Sequence, residues 1–306
     1  MRRYIAAAMS VRSRLLCGVL RRFAKATHTP IDQIAAAQRK ALDASSKRTP
    51  KPPPRVSVEP TELRGVPGEW VSTDRSDASR VLLYMHGGSY VAGSPSSHRN
   101  LTWRLADEAR CRVLALDYRL APEHPYPAGL NDVLAAHAGL VERDDVGAVG
   151  WAGDSAGAGL MLASLRAAEE RGLAMPVSAL AISPWCDLAG RGTSWRTNAE
   201  RDPWLTAKAL LDCAQLYLGD TAGDDPCVSA AYATFADPPP TLIQVGESEL
   251  LRDDATRVAE RLRDAGAHVE VQLWKDVPHV WPIFAPMLPE SSVAIRQAGR
   301  FLRAKW

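Results

Sequence analysis

Ser155 stands between two glycines in Gly153-Asp154-Ser155-Ala156-Gly157. That spacing suits a hydroxyl nucleophile presented on a sharp turn between a strand and a helix. An apolar run, residues 146–152, leads into the turn, and residues 160–165 read as helix beyond it. The glycines answer to crowding, since side chains two residues from the serine would meet neighbouring backbone. A serine hydroxyl is a weak nucleophile and needs a base within hydrogen-bond reach. In the order serine, acid, histidine, only His268 and His279 of the seven histidines follow a suitable acid. His268 begins a predicted strand at the opposite edge of the sheet, whereas His279 lies in the loop leaving that strand. His279 is therefore the predicted base.

The acid belongs after the predicted strand 241–245, where residues 246–254 offer Glu247, Glu249, Asp253 and Asp254. Glu247 is placed to brace the turn, and Asp253 and Asp254 suit the first turn of the next helix, where its macrodipole favours them. Glu249 lies in the loop between and is preferred, with the other three as alternatives and Asp187 as a more distant one. An oxyanion site requires backbone amides aimed at a developing alkoxide. Ala156 follows the nucleophile directly, and the other amides are expected from His86-Gly87-Gly88-Ser89. His86 itself is read as a loop anchor.

These residues need a scaffold that brings strand ends together. Strands are predicted at 81–85, 113–117, 178–182, 241–245 and 269–274, besides the one before Ser155. Helices are predicted at 31–42, 98–109, 128–141, 206–218, 253–265 and 291–302. Such alternation calls for an α/β fold, a mainly parallel sheet with helices on both faces. Residues 187–236 break the rhythm and read as an insertion over the carboxyl edge of the sheet, while residues 47–55 read as a proline-rich linker. The strand 269–274 is expected at the edge of the sheet.

Composition sets limits. With 46% hydrophobic residues, 24% charged and a net charge of +2, the chain can bury a large core and presents no field that selects nucleic acid. Five scattered cysteines, with no closely spaced pair, suit reduced thiols in the cytoplasm better than a disulfide framework or a metal site. No apolar run is long enough to cross a bilayer, and no signal-peptide pattern is present. The N-terminal stretch is lopsided: Arg2, Arg3, Arg12, Arg14, Arg21, Arg22 and Lys25 all precede the first acid, Asp32. Ile5, Met9, Leu16, Val19, Leu20 and Phe23 recur between them at helical spacing. The expectation is a helix packed on its own protein, with docking at a membrane surface the less favoured reading.

Four motifs in order, His86-Gly-Gly-Ser-Tyr90, residues 118–128, Gly153-Asp-Ser-Ala-Gly157 and Ser183-Pro-Trp-Cys-Asp187, resemble the hormone-sensitive-lipase branch of α/β-hydrolase carboxylesterases, of the bacterial family IV type. The likeness extends through residues 246–254 and His279. It implies an α/β-hydrolase fold with a helical cap and a serine esterase for short acyl chains, working through Ser155, Glu249 and His279. It also implies oxyanion amides from Gly88, Ser89 and Ala156, no cofactor and no metal, and a homodimer along the edge strand 269–274. Residues 1–50 and 187–236 would form the cap, and residues 51–186 and 237–306 the core. Ser89 departs from the family's usual third glycine, and Glu249-Leu-Leu from its usual Asp-Pro-Leu. The acid variant is similar to acetyl-ester and lactone hydrolase members. Tyr90, Trp204 and Phe284 are the aromatic residues expected at the pocket. Alternative activities are a lactone hydrolase or amidase on the same three residues, a membrane-surface lipase, and a catalytically silent small-molecule binder.

Overall fold

The structure, a computed structural model, describes residues 2–5, 10–24 and 29–306. The chain opens with β1 (Arg2–Ile5), α1 (Val11–Ala24) and α2 (Ile31–Arg48). An antiparallel hairpin follows, β2 (Val56–Leu63) and β3 (Val66–Thr73), turning through Arg64 and Gly65 in the left-handed region. Strands and helices then alternate through β4 (Asp77–Met85), α3 (Pro95–Ala109), β5 (Cys111–Leu116), α4 (Ala128–Val141), β6 (Ala148–Asp154) and α5 (Ser155–Glu170). After β7 (Ala179–Ile182) come α6 (Ser194–Thr197) and α7 (Ala207–Leu218). The sheet resumes with β8 (Thr241–Gly246), α8 (Arg252–Asp264) and β9 (Val269–Trp274), and α9 (Pro289–Arg303) is the last helix.

Among the described residues nine strands form one sheet, ordered β1-β9-β8-β7-β6-β4-β5-β3-β2. All neighbours from β1 to β5 pair in parallel, and only β3 runs against the others, pairing antiparallel with both β5 and β2. This is the expected α/β architecture. Central strands buried on both faces should be apolar throughout rather than alternating. Residues 81–85 of β4 are accordingly all 0% exposed. α3 starts where Ser94 and Ser97 cap one another reciprocally ahead of Pro95, and it stops at Arg110 in the left-handed region. The parallel order aligns the carboxyl ends of β4, β6, β7, β8 and β9 along one edge, which is where this architecture binds ligands.

Three expectations are corrected. β9 is not the edge strand, because β1 pairs with it in parallel from Arg2 opposite Val271 to Ile5 opposite Trp274. Its free hydrogen-bonding side is occupied, so no second copy can add there. Ile5 accordingly belongs to a strand and not to the amphipathic helix, while Met9 and Lys25 lie outside the described residues. Finally, Lys47 and Arg48 close α2 instead of opening the linker.

Candidate active site

β6 ends at Asp154 and α5 begins at Ser155, whose φ of 51° lies in the left-handed region where a side chain is strained. A Cβ on Gly157 would collide with the carbonyl oxygens of Met85 and His86. The turn therefore holds only if that position has no side chain. Ser155 is 7% exposed, and its carbonyl accepts the Trp185 amide at 3.0 Å.

The structure brings three distant residues into one chain of hydrogen bonds. His279 Nδ1 lies 2.6 Å from Glu249 Oε2, and His279 Nε2 lies 2.8 Å from Ser155 Oγ. A carboxylate only accepts, so Nδ1 carries the proton and Nε2 is left to accept from the serine hydroxyl. Burial works to lower the His279 pKa, but the Glu249 charge and its hydrogen bond outweigh burial and leave it raised above 6.5. Glu249 is itself fixed, its Oε1 accepting from the Gly246 amide at 2.6 Å and the Ser183 hydroxyl at 2.8 Å. Ser183 Oγ also accepts the Val280 amide at 3.1 Å, so one hydroxyl ties the acid to the histidine loop. Sequence reasoning missed that role, although Ser183 sits at the end of β7 where such a residue was to be sought.

Three of the other acids, Asp253, Asp254 and Asp187, are committed elsewhere. Asp253 accepts the Ser194 amide at 2.9 Å, and Asp254 accepts from Cys186, Asp187 and Trp195. Asp187 holds Arg257, Tyr232 and the Arg191 amide, which makes it a structural anchor of this region.

The loop after β4 lies against the nucleophile, so closely that a Cβ on Gly87 would sit 3.1 Å from Ser155 Cβ. Asp154 secures the loop through Oδ1, which accepts the Gly87 amide at 3.1 Å and the Tyr84 hydroxyl at 2.5 Å. Its Oδ2 pairs with His98 Nε2 at 3.3 Å. His86 Nδ1 contacts the Gly87 carbonyl at 2.8 Å, and its ring stacks on Tyr118 at 4.4 Å. Burial first, then the neighbouring His98, pushes the His86 pKa down to about 3, so His86 is neutral and unfit to act as a base. Beyond it the amides of Gly88 and Ser89 donate to no acceptor among the described residues, which leaves both available to a ligand.

A cavity of about 510 Å³ opens over Ser155 and His279. Gly88 and Ser89 line its floor, and Ile34, Ala37, Gln38, Ala41 and Leu42 of α2 face Leu205, Ala209 and Leu210 across it. Of the predicted aromatic residues only Trp204 lines it, its ring edge-on to His279 at 6.1 Å between centroids. Phe284 is set behind Trp204 at 5.8 Å. Tyr90 is turned away, because Gly88, Ser89 and Tyr90 all have positive φ and swing the ring inward. It stacks on Tyr217 at 4.0 Å and is 2% exposed. α2 lies in the segment 1–50 that the resemblance assigns to the cap, but its individual lining residues escaped sequence reasoning because they lie far from every catalytic motif in the chain.

Comparison with known proteins agrees with this fold. A family profile described as alpha/beta hydrolase fold matches residues 82–283. An acetyl-hydrolase of Streptomyces hygroscopicus is 45% identical over 236 residues, 77% of this chain and 79% of that protein. An esterase of Acinetobacter venetianus is 34% identical over 278 residues, 90% of this chain and 91% of its own. Among solved structures, an esterase from the bacterial hormone-sensitive lipase family superimposes with a TM-score of 0.91 at 37% identity, covering 98% of this chain and 99% of that one.

Proposed function

The chain belongs to the hormone-sensitive-lipase family of bacterial α/β-hydrolase esterases and is a carboxylic ester hydrolase, and we propose that Ser155, His279 and Glu249 carry its chemistry. Ser155 Oγ attacks the ester carbonyl carbon while His279 Nε2 takes its proton. The tetrahedral oxyanion is held by the amides of Gly88, Ser89 and Ala156, and Glu249 stabilises the imidazolium formed next to it. His279 returns the proton to the leaving alcohol as the intermediate collapses to an acyl-enzyme. Water, activated by the same nitrogen, then releases the acid and restores the serine.

The observation that carries this reading is the unbroken path from Ser155 Oγ through His279 to Glu249, at 2.8 and 2.6 Å. A silent binding protein has no need of it. Short acyl esters are the proposed substrates, in keeping with the acetyl-hydrolase relative. The walls from α2 and residues 187–236 act as the cap, and residues 51–186 and 237–306 as the core. No described helix is long and apolar enough to cross a membrane, and all five cysteines are unpaired, which supports a reducing compartment such as the cytoplasm.

Hydrolysis of p-nitrophenyl acetate through decanoate by wild type and Ser155→Ala tests the proposal. Turnover that peaks at short chains and disappears in the variant supports it. A Ser155→Ala protein as active as wild type would remove the serine from the mechanism.

A further inference from the structure

α1 is apolar on two faces, and the protein uses only one of them. On the inner face Ser13 is buried, its hydroxyl donating to the Asp276 carbonyl at 3.2 Å. Leu16 of the same face packs on the cluster of Trp274, Val277, Trp281 and Leu288. The expected packing of this helix on its own protein is satisfied there. Val11, Leu15 and Val19 recur every four residues on the opposite face and are 69%, 66% and 52% exposed. No other large apolar side chain among the described residues is as exposed, and Met287, at 47%, extends the patch beside Arg12.

The charge that α1 itself carries has one sign, a neighbouring carboxylate being that of the buried Glu290, which holds Ser10 at the start of the helix. At 100° per residue Arg12 falls on one side of the ridge, Arg14 and Arg21 on the other, and Arg22 at its end. All four are exposed, and α1 has no acid to balance them. No acid occurs in the sequence before Asp32.

We propose that this face of α1 docks the enzyme on an anionic lipid surface. The apolar ridge enters the boundary between headgroups and acyl chains, and the guanidinium groups on both flanks reach lipid phosphates. A second copy of the chain fits less well, because a two-fold contact would set arginine against arginine. Docking here also bears on the active site. Arg21 donates to the Arg201 carbonyl at 3.3 Å, and the same segment carries Trp204 of the cavity wall. Docking here therefore sets the lipid surface beside the segment that leads to Trp204.

Co-sedimentation of the full chain with vesicles decides the matter, whether or not the hydrolytic assignment stands. Wild type should sediment with mixed phosphatidylglycerol and phosphatidylcholine vesicles at low salt, and poorly with phosphatidylcholine alone or at high salt. Leu15→Ser should weaken partitioning about tenfold, and Arg14→Gln with Arg22→Gln should remove the preference for anionic lipid. None of these residues lines the cavity, and an unchanged far-ultraviolet circular dichroism spectrum and melting temperature certify that each variant is folded. Absence of folded wild type from anionic vesicles at low salt would overturn the proposal, as would equal partitioning of Leu15→Ser. A dimer in analytical ultracentrifugation that Leu15→Ser abolishes would overturn it in favour of a protein partner.

Discussion

Asp154 Oδ1 accepts the amide hydrogen of Gly87 at 3.1 Å, so the residue before the nucleophile also pins the loop that presents Gly88 and Ser89. Ser155 and the amides proposed to hold the oxyanion are thus registered to one another through one buried carboxylate. Asp154→Ala should release the loop while leaving the Ser155 to His279 path in place. Removing an oxyanion donor outright costs about 10²- to 10³-fold in kcat. Loosening two of them should cost about 10- to 100-fold, with KM little changed. Steady-state kinetics on p-nitrophenyl butyrate check this, and a folded variant with wild-type kcat would show that the loop needs no such anchor.

Glu249→Gln should alter both the rate and its pH dependence. His279 acts as a base only when neutral. The pKa of this residue is raised above 6.5 because the Glu249 charge outweighs burial, so kcat/KM in the wild type should fall as pH drops through that raised value. Without the charge, burial dominates, and the acid limb should move to lower pH. The plateau should fall about 10²- to 10⁴-fold, since a neutral partner no longer stabilises the imidazolium. An unmoved acid limb at full activity would transfer the acid role to another carboxylate.

Ser183→Ala removes the hydroxyl shared by Glu249 and the Val280 amide. A hydrogen bond to a charged group is worth about 1.5–3 kcal/mol, so kcat/KM should fall roughly 10- to 100-fold if that energy orients the acid. Ser183→Thr keeps the hydroxyl and should recover much of the loss. Equal activity in both variants would mean that the Gly246 amide alone suffices to hold Glu249.

Much of this site could be read from the chain because its residues sit at strand ends, and strand ends are the best-defined points of an alternating α/β pattern. Ser155 and Glu249 follow largely apolar runs, and His279 follows the alternating strand Val269–Trp274. The hairpin of β2 and β3 was not legible, because Pro60, Glu62, Pro67 and Glu69 interrupt any alternation of apolar and polar residues. β1 was hidden for another reason. Its four residues continue into an apolar and basic stretch that satisfies a helical period equally well, and only the unpaired side of β9 selects a strand. Tyr90 was misplaced because consecutive positive φ angles leave no mark on sequence periodicity.

The pairing of His98 with Asp154 should appear in the pH dependence of stability. Burial lowers the His98 pKa, but the Asp154 charge and hydrogen bond more than reverse this and leave it raised above 6.5. Burial raises the Asp154 pKa, but His98, Tyr84 and the Gly87 amide leave it lowered below 3.8. A group with a raised folded pKa contributes stability that is complete below the unfolded value and lost as pH climbs through the folded one. The opposite holds for the carboxylate, whose contribution is complete above 3.8 and lost as pH falls through its folded value. The pair should therefore contribute most between pH 3.8 and 6.5. The Tm difference between wild type and His98→Gln should be largest in that interval and shrink on the alkaline side. A difference independent of pH would mean that His98 is held by packing alone.

Trp204 should set the length of chain the cavity accepts. Its ring is edge-on to His279 at 6.1 Å and is backed by Phe284 at 5.8 Å, so it forms a wall directly beside the base. Trp204→Ala takes away that wall without touching a hydrogen bond of Ser155, Glu249 or His279. The space released should favour longer substrates, raising the ratio of kcat/KM for decanoate to that for acetate about tenfold, the scale on which apolar pockets discriminate methylene groups. Phe284→Ala removes only the support behind the wall and should shift the ratio in the same direction by less. A fall for all chain lengths alike would show instead that Trp204 holds the imidazole in place. An unchanged ratio at unchanged activity would put the chain-length limit on the opposite wall, at Ile34 and Leu42 of α2.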